Sequence, residues 1–112
     1  MMENDAPRLV YKVCAAAEWA RAIAEGMYRG SAVDARDGFI HLSTGAELAE
    51  TLRRHFAGQR DLVLVTFDAI ELADLRWEPS RGGALFPHVY GAIEVRLARA
   101  VEPIDAADAT PP

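Results

Sequence analysis

The 112-residue chain is long enough for one hydrophobic core but too short for two. Its 12 basic and 17 acidic residues give a net charge of −5, which argues against broad nucleic-acid binding, because such binding needs a basic surface that displaces counterions. The single cysteine excludes an intrachain disulfide and a cysteine-rich metal site.

We expect a single domain over residues 8–104, flanked by flexible tails at 1–7 and 105–112. The tails are polar or rich in alanine, aspartate and proline, a composition that buries too little apolar surface to order a chain. The first residues lack the apolar segment of a signal peptide, and no apolar run approaches the length of a membrane span. These features predict a cytoplasmic location and no membrane partner.

The first two predicted elements are a strand and a helix. Residues 9–14 are mostly apolar and predict a strand, in which Lys12 lies either on an exposed face or near a site. Residues 15–25 are rich in alanine and predict a helix. Trp19 and Ile23, four residues apart, define its buried face, with Trp19 as a core anchor.

The following segment carries mixed signals. Residues 27–36 are predicted to form an irregular connection, with Tyr28 in a turn. Asp34, Arg36 and Asp37 are expected to form a solvated charge cluster at the end of this connection.

Residues 37–44 are the stretch that most indicates a site. Their apolar, β-compatible residues predict a short strand that runs directly into a helix over 45–57. Residues 44–47 match the S/T-x-x-E pattern of a capping box, in which the two side chains bond each other's backbone N–H groups. His41 and Ser43 would project from one face of the strand end, beside the helix N-terminus. Because free N–H groups and the helix dipole attract anions, this arrangement predicts a phosphate or carboxylate site.

The remaining predicted elements are strands and one irregular loop. Residues 62–67 are a β-branched, nearly all-apolar run that predicts a central strand buried on both faces. Residues 75–78 predict a short strand, whereas 85–91 mix aromatics, a proline and a histidine and predict a functional loop. Residues 92–103 alternate and predict the clearest strand. This order predicts an α+β fold, with two main helices on a split or strongly bent, mixed or antiparallel sheet.

Two histidines and a carboxylate are the candidates for a polar site, and three interpretations stay open. In the first, His41 and His88 bind and polarise a ribose or phosphate, supported by Glu78 or Tyr90. In the second, the two histidines and a carboxylate hold a metal ion. In the third, each histidine donates to a backbone carbonyl within a tight loop. The GxGxxG, Walker, HExxH and GxSxG motifs do not occur.

Three polar residues have candidate roles in such a site. Ser43 is either a nucleophile, if a base such as His88 lies within hydrogen-bond reach, or a second helix cap. Arg81, on a loop before two glycines, either binds a ligand phosphate bidentately or stays a solvated charge. His88 is the candidate general acid or base, because an imidazole titrates near neutral pH.

Several of these segments together resemble a bacterial family known as domain of unknown function 952. The resemblance covers the chain from about residue 9 to residue 101. It is carried by a strand end, a helix tryptophan, a glutamate before a proline and two longer motifs: Val10-Tyr11-Lys12, Trp19, Trp77-Glu78-Pro79, Gly38-Phe39-Ile40-His41-Leu42-Ser43-Thr44 and Phe86-Pro87-His88-Val89-Tyr90-Gly91.

This family is similar in architecture to the ADP-ribosyltransferase superfamily, which includes RNA 2′-phosphotransferases that use NAD. The resemblance implies an ADP-ribosyltransferase-like split sheet that clamps NAD, with His41 and Ser43 holding the nicotinamide ribose. Transferases of this type carry a catalytic glutamate on a late strand. Glu94 lies on the last predicted strand but outside the family motif, whereas Glu78 lies inside the motif on a different element.

We therefore expect a site for a nucleotide-like or phosphorylated small ligand, with NAD as the candidate cofactor and no metal ion assigned. The predicted catalytic residues are His88 and Glu78, and the predicted ligand-binding residues are His41, Ser43, Tyr90, Lys12 and Arg81. Within this site His41 binds ribose or phosphate, and Tyr90 donates a hydrogen bond or stacks. The alternative is a non-catalytic binding or interaction domain that keeps the fold without the chemistry.

Overall fold

The computed structural model describes residues 7–111, except for the side chain of Arg81. The strands in that range are β1 Leu9–Ala15, β2 Met27–Tyr28, β3 Ile40–His41, β4 Ser43–Thr44, β5 Leu62–Asp68, β6 Leu75–Pro79, β7 Leu85–Val89, β8 Ile93–Glu94 and β9 Ala100–Ile104. The helices are α1 Ala16–Glu25, α2 Ala32–Asp37 and α3 Leu48–His55. None of these helices has the length and apolar character needed to span a bilayer. Apart from Pro7, the predicted N-terminal tail lies outside the described residues.

The strands form two main antiparallel sheets, which confirms the predicted α+β class. One sheet has the order β4-β1-β5-β9 and the other the order β3-β7-β6, while β2 pairs with β8 in a separate ladder. Leu42 is the single residue between β3 and β4, and it is buried. The chain therefore passes from one sheet to the other at Leu42, in the middle of the stretch predicted as one strand.

Helix α2 occupies part of the segment predicted as an irregular connection. A capping box starts it: Ser31 Oγ accepts from Asp34 N at 3.2 Å, and Asp34 Oδ2 accepts from Ser31 N at 2.8 Å. The prediction of a solvated cluster is wrong for Asp34, which is 3% exposed. It holds for Arg36 and Asp37, which are exposed and paired at 2.9 Å.

The loop predicted over 85–91 is wrong for its first part, which forms β7, the central strand of its sheet. Pro87 fits there because the N–H and C=O of one residue in an antiparallel ladder point to the same side. The Pro87 carbonyl points toward β3 and accepts from Leu42 N at 3.0 Å. Because Pro87 has no N–H, the only bond lost on this side is the one that residue 87 would donate to the Leu42 carbonyl. The loss occurs where the chain passes from the three-stranded to the four-stranded sheet.

The strand predicted over 92–103 is also wrong, because the chain changes direction there. Val95 N donates to the carbonyl of Gly26 at 3.1 Å, and a 3₁₀ turn separates β8 from β9. Arg99 N then donates to the carbonyl of Thr66 at 2.7 Å. As a result, the first half of the segment pairs with β2 as β8, and the second half pairs with β5 as β9.

The main core lies between the four-stranded sheet, α1 and the inner face of the three-stranded sheet. Trp19 is 4% exposed and packs on Tyr28 and Phe67, with ring centroids 5.7 and 6.4 Å away, which confirms it as a core anchor. Tyr28 is buried in β2 rather than placed in a turn, and its hydroxyl donates to Glu18 Oε2 at 2.5 Å. Ile23, predicted on the buried face, is 59% exposed.

Helix α3 and the C-terminal residues cover a second, smaller core. The half-buried side chains along α3 and just beyond it are Leu48, Leu52 and Phe56. The helix predicted over 45–57 is shorter at both ends. The segment after β9, predicted to be flexible, packs back: Ala106 is 4% exposed, and its N and O atoms bond Gln59 O and Gly58 N, each at 2.8 Å.

Candidate functional site

His41 and His88 lie directly opposite each other on β3 and β7. The neighbouring pair is bonded from Leu42 N to Pro87 O, and bonded and non-bonded pairs alternate along an antiparallel ladder. His41 and His88 therefore form a non-hydrogen-bonded pair, the kind whose side chains approach most closely. Their ring centroids are 5.5 Å apart. Strand register thus brings together two histidines that are far apart in the sequence.

The three-stranded sheet has one apolar and one polar face. The side chains packed on the main core are Ile40, Leu75, Trp77 and Val89. Side chains alternate along each strand, so the opposite face carries the buried Phe86 and five polar residues: His41, His88, Arg76, Glu78 and, just beyond β7, Tyr90. We call these five residues the polar face. The pairing that builds the sheet also assembles this face.

Glu78 holds two other members of the polar face. Its Oε1 accepts from His88 Nδ1 and from the Tyr90 hydroxyl, each at 2.8 Å. These hydrogen bonds lower the pKa of Glu78, and the bond to Glu78 raises the pKa of Tyr90. Glu78 is thus an ionised acceptor at neutral pH, so the proton of a neutral His88 ring lies on Nδ1 and Nε2 is basic. The His88 side chain is 8% exposed, and within residues 7–111 its Nε2 has no hydrogen-bond partner.

His41 lies between two carboxylates. Its Nδ1 is 2.7 Å from Asp34 Oδ1, and its Nε2 is 3.0 Å from Asp37 Oδ2. The Nδ1 contact is a hydrogen bond, whereas the Nε2 contact is an ion pair only when the ring is an imidazolium ion. The backbone N–H of His41 also donates to Asp34 Oδ1, at 3.1 Å.

Asp34 organises this side of the site, a role that the sequence analysis does not predict. Its Oδ2 accepts from Lys12 Nζ at 2.7 Å and from Ser31 N at 2.8 Å. Burial raises the pKa of Asp34, but the hydrogen bond from His41 and the charge and hydrogen bond of Lys12 outweigh burial and hold it far below its usual range. The S-x-x-D capping pattern over 31–34 is the sequence signal that would have identified Asp34 as a fixed residue.

Phe39 covers the polar face. Its ring stacks on His88, with centroids 4.2 Å apart, and lies 4.5 Å from His41 and 5.3 Å from Tyr90. A depression of about 270 Å³ opens beside Phe39, and its walls include Arg29, Asp34, Gly38, Phe39 and Gly91. Neither histidine is among the residues that line this depression. Phe39 covers the faces of both histidine rings, and the pocket expected over them stays a prediction.

Ser43 lies apart from the polar face. It belongs to β4 in the other sheet and is 5% exposed. Its Oγ is 2.8 Å from Thr51 Oγ1, and the Thr51 hydroxyl donates to the carbonyl of Glu47 at 3.1 Å. Ser43 thus donates to Thr51, which lies inside α3. Ser43 is therefore not a helix cap. The proposed ligand contact of Ser43 stays a prediction.

The three cations expected or found near the site differ in placement. Lys12 is 6% exposed, and its Nζ also donates to the carbonyl of His41 at 3.1 Å. Lys12 therefore holds the backbone of His41 in place from the protein interior. Arg81 has a side chain outside the described part of the structure, and its phosphate contact stays a prediction. Arg76, which the sequence analysis misses, lies with Cζ 4.7 Å from the centre of the Tyr90 ring. The sequence did contain a signal for Arg76: it lies two residues before Glu78 on one predicted strand, so both side chains point to the same face.

The other sequence interpretations fare differently. Backbone carbonyls are not the partners of the histidine rings, because Nδ1 of each ring faces a carboxylate. In the described chain, no group of three or more His, Cys, Asp or Glu side chains is placed to hold a metal ion. Thr44 Oγ1 accepts from Glu47 N at 3.2 Å, as the capping box predicts. However, α3 begins later, at Leu48, and Thr44 pairs in the sheet that does not carry the histidines.

Comparisons with known proteins identify one family and one similar protein of known structure. The model of the family described as "Protein of unknown function (DUF952)" matches residues 13–101. The chain is 47% identical to protein CC0527 from Caulobacter crescentus in its crystal structure, with 93% of each chain covered and a TM-score of 0.87. The solution NMR structure of CC0527 gives 48% identity over 92% of this chain and 90% of that chain, with a TM-score of 0.80. The comparison with curated proteins gave no match. The family match over most of the sequence shows that this chain belongs to the DUF952 family.

Proposed function

We propose that the protein binds a nucleotide-like or phosphorylated small ligand at the polar face and that His88 transfers a proton there. The observation that carries this proposal is His88 Nε2, an acceptor on a nearly buried ring with no hydrogen-bond partner among the described residues. A buried polar atom without a partner costs free energy, so its retention calls for an explanation, and use by a ligand is one.

The neighbours of His88 support proton transfer. In the proposed step, Nε2 accepts the proton of a ligand hydroxyl, and the ring becomes an imidazolium ion. The ionised Glu78, bonded to Nδ1, stabilises that charge and fixes the ring orientation, as the carboxylate does in known carboxylate–histidine pairs. Tyr90 donates to the same oxygen and keeps Glu78 in position.

The composition of the face supports the ligand class. The Arg76 guanidinium, and the His41 ring when it is protonated, are cations that suit a phosphate or carboxylate. Phe39 and Tyr90 provide aromatic surfaces on which a nucleobase can stack. Lys12 acts in this proposal as a positioning residue, because its ammonium reaches the ligand side only through Asp34 and the His41 carbonyl.

In its finer form, the proposal takes NAD as the ligand, in an ADP-ribosyltransferase-like fold, and the hydroxyl that loses its proton belongs to an acceptor molecule or to water. In ADP-ribosyl transfer, that oxygen would bond to C1′ of the nicotinamide ribose as the bond from C1′ to nicotinamide breaks and nicotinamide leaves. In phosphoryl transfer, it would bond to phosphorus as the ester oxygen leaves. A split antiparallel sheet with His41 at the split is consistent with this form. Glu78 is then the catalytic glutamate, because Glu94 is exposed and paired with Arg96 at 2.6 Å. A cytoplasmic location belongs to the same proposal and is consistent with the buried, free Cys14.

One observation favours the non-catalytic alternative. Phe39 stacks on His88 and leaves it nearly buried, so a ligand can bind beside Phe39 without reaching Nε2. In that case the cations and rings of the face bind a ligand, and no bond is broken.

The test combines thermal melting with a search for turnover. NAD, ADP-ribose, AMP and inorganic phosphate are each added to the wild type and to variants His88→Gln, His41→Gln and His55→Gln. The last of these is a matched control, because His55 lies on α3 and is exposed. A ligand at 100 times its Kd adds about 2.7 kcal/mol of stability, which raises the Tm of a domain of this size by roughly 10 °C.

We expect at least one ligand to raise the Tm of the wild type and of His55→Gln, and to raise it less in His41→Gln. We also expect release of nicotinamide or phosphate by the wild type, lost in His88→Gln. Binding without product supports the non-catalytic alternative. The absence of any Tm shift contradicts both forms of the proposal.

A further inference from the structure

We propose that Nε2 of His41 is a subsite for a phosphate monoester and that the carboxylate of Asp37 occupies this subsite when no ligand is bound. The proposal rests on the proposed function and deepens it, since it assigns the ligand phosphate to one atom. It also gives Asp37 the role of an internal competitor that the ligand must displace.

The two carboxylates that face His41 differ in how firmly they are held. Asp34 is buried and accepts hydrogen bonds from Lys12 Nζ, Ser31 N and the backbone and ring of His41. Its departure would leave several buried donors without a partner, which is costly. The Asp37 side chain is 31% exposed, and its ring contact with His41 is a single one at 3.0 Å. Asp37 is therefore the exchangeable partner.

The local charge balance leaves a place for an anion. The Lys12 ammonium and the Asp34 carboxylate, 2.7 Å apart, neutralise each other. When the His41 ring is protonated, it carries the remaining positive charge, and Asp37 is the carboxylate that faces Nε2 at 3.0 Å. When Asp37 turns to solvent, this corner of the site carries one net positive charge next to Nε2.

The position of Asp37 in its helix also favours displacement. Asp37 is the last residue of α2, where the helix dipole disfavours a negative charge. Its other partner, Arg36, is 71% exposed and adjacent in sequence, so this ion pair can follow Asp37 into solvent. A phosphate monoester carries nearly two negative charges at neutral pH, so a protonated His41 ring attracts it more strongly than it attracts the single charge of the Asp37 carboxylate.

The experiment follows the histidine rings by NMR. Protein with ¹⁵N-labelled histidine is titrated with inorganic phosphate at pH 7.5 and constant ionic strength, and the ring nitrogens are observed. Only three histidines contribute signals. The variants are Asp37→Asn, Asp37→Ser, the double variant D37N/H41Q, and Glu102→Gln. Glu102, exposed on β9, is the matched control because its substitution changes the net charge by the same amount.

We expect Asp37→Asn to bind phosphate about 5-fold more tightly than the wild type, which is the effect of removing one like charge at about 4 Å in water. The chemical-shift change on adding phosphate should be largest at Nε2 of His41. Asp37→Ser should show the same gain in affinity and the same chemical-shift change. Glu102→Gln should stay within about twofold of the wild type, because Glu102 is exposed to the screening solvent and lies on a strand of the other sheet. D37N/H41Q should bind phosphate no more tightly than the wild type.

Equal affinities for Asp37→Asn and Glu102→Gln, or a gain that survives in D37N/H41Q, would overturn the subsite. If nucleotides still raise the Tm of the wild type, the proposed function survives that failure. If Asp37→Asn gains affinity at His41 but none of the four ligands stabilises the wild type, the subsite stands and the proposed function fails.

Discussion

Lys12 and Asp34 form an ion pair beneath His41, with Nζ and Oδ2 2.7 Å apart and side chains only 7% and 2% exposed. A buried charge that loses its partner is strongly destabilising, whereas the loss of both partners together costs less. The pair therefore fixes the position of His41 more than it adds to the net stability of the fold.

The first prediction concerns this pair. We expect Lys12→Met to lower the free energy of unfolding at pH 7 by about 3 kcal/mol, because it leaves Asp34 buried with one charge partner fewer. The double variant K12M/D34N should be more stable than the sum of the single losses predicts, by roughly 1–3 kcal/mol. Urea denaturation of the four proteins measures this coupling, and strict additivity would contradict the buried pair.

The second prediction concerns pH. The folded-state pKa of Asp34 lies below its unfolded value, so its stabilising effect is fully present above about pH 4 and is lost as the pH falls further. We expect the free energy of unfolding of the wild type to fall steeply from about pH 4 downward, and that of Asp34→Asn to fall less steeply. Parallel curves for the two proteins would show that Asp34 is not stabilised in its ionised form.

The third prediction uses two glycines with similar backbone angles. Gly30 has φ +99°, and a Cβ there would lie 2.8 Å from Asp34 Cβ, whereas Gly38 has φ +88° and nothing within 4 Å. We expect Gly38→Ala to cost about 1 kcal/mol from backbone strain alone. Gly30→Ala should cost roughly 3 kcal/mol, because the methyl group also displaces Asp34. Only Gly30→Ala should shift the ring signals of His41, and equal effects at the two sites would exclude the close contact.

The fourth prediction concerns the cover over His88. Phe39→Ala removes the ring that stacks on His88 at 4.2 Å. We expect diethylpyrocarbonate to modify His88 severalfold faster in this variant, as measured by peptide mass spectrometry. His55, exposed on α3, is the internal reference and should react at an unchanged rate. An unchanged rate at His88 would show that Phe39 does not control access.

The fifth prediction concerns the single cysteine. Cys14 is 2% exposed, and burial raises the pKa of its thiol to about 11. Because the thiolate is the reactive form, we expect slow labelling by a disulfide reagent near pH 8 in the native protein and rapid labelling in urea. Fast labelling of the folded protein would contradict the packing of β1.

The class of fold, the core anchor and several elements could be predicted from the sequence because they depend on local patterns. Trp19 and the apolar run of β5 carry helical and strand signals within a few residues. The passage of the chain between sheets at Leu42 could not be predicted, since the residues on either side look like one continuous strand. Only the pairing partners, β7 and β1, reveal the split.

The site divides in the same way. Residue types and the two motifs pointed to His41 and His88, but their contact depends on a register that no single segment encodes. Asp34 was missed because its burial depends on Lys12, which lies on another strand. Pro87 and the short length of its segment concealed β7, because proline is rare in central strands and needs a neighbouring strand that ends there.

The central claim is that Glu78 holds His88 with its proton on Nδ1 and leaves Nε2 as the basic atom. The most direct test is the ¹⁵N–¹H correlation of the His88 ring in the wild type and in Glu78→Ala at neutral pH, where the shifts and couplings identify the protonated nitrogen. The account predicts that the neutral form of the wild-type ring carries its proton on Nδ1, with this preference weakened in Glu78→Ala. A wild-type ring protonated on Nε2 would contradict it.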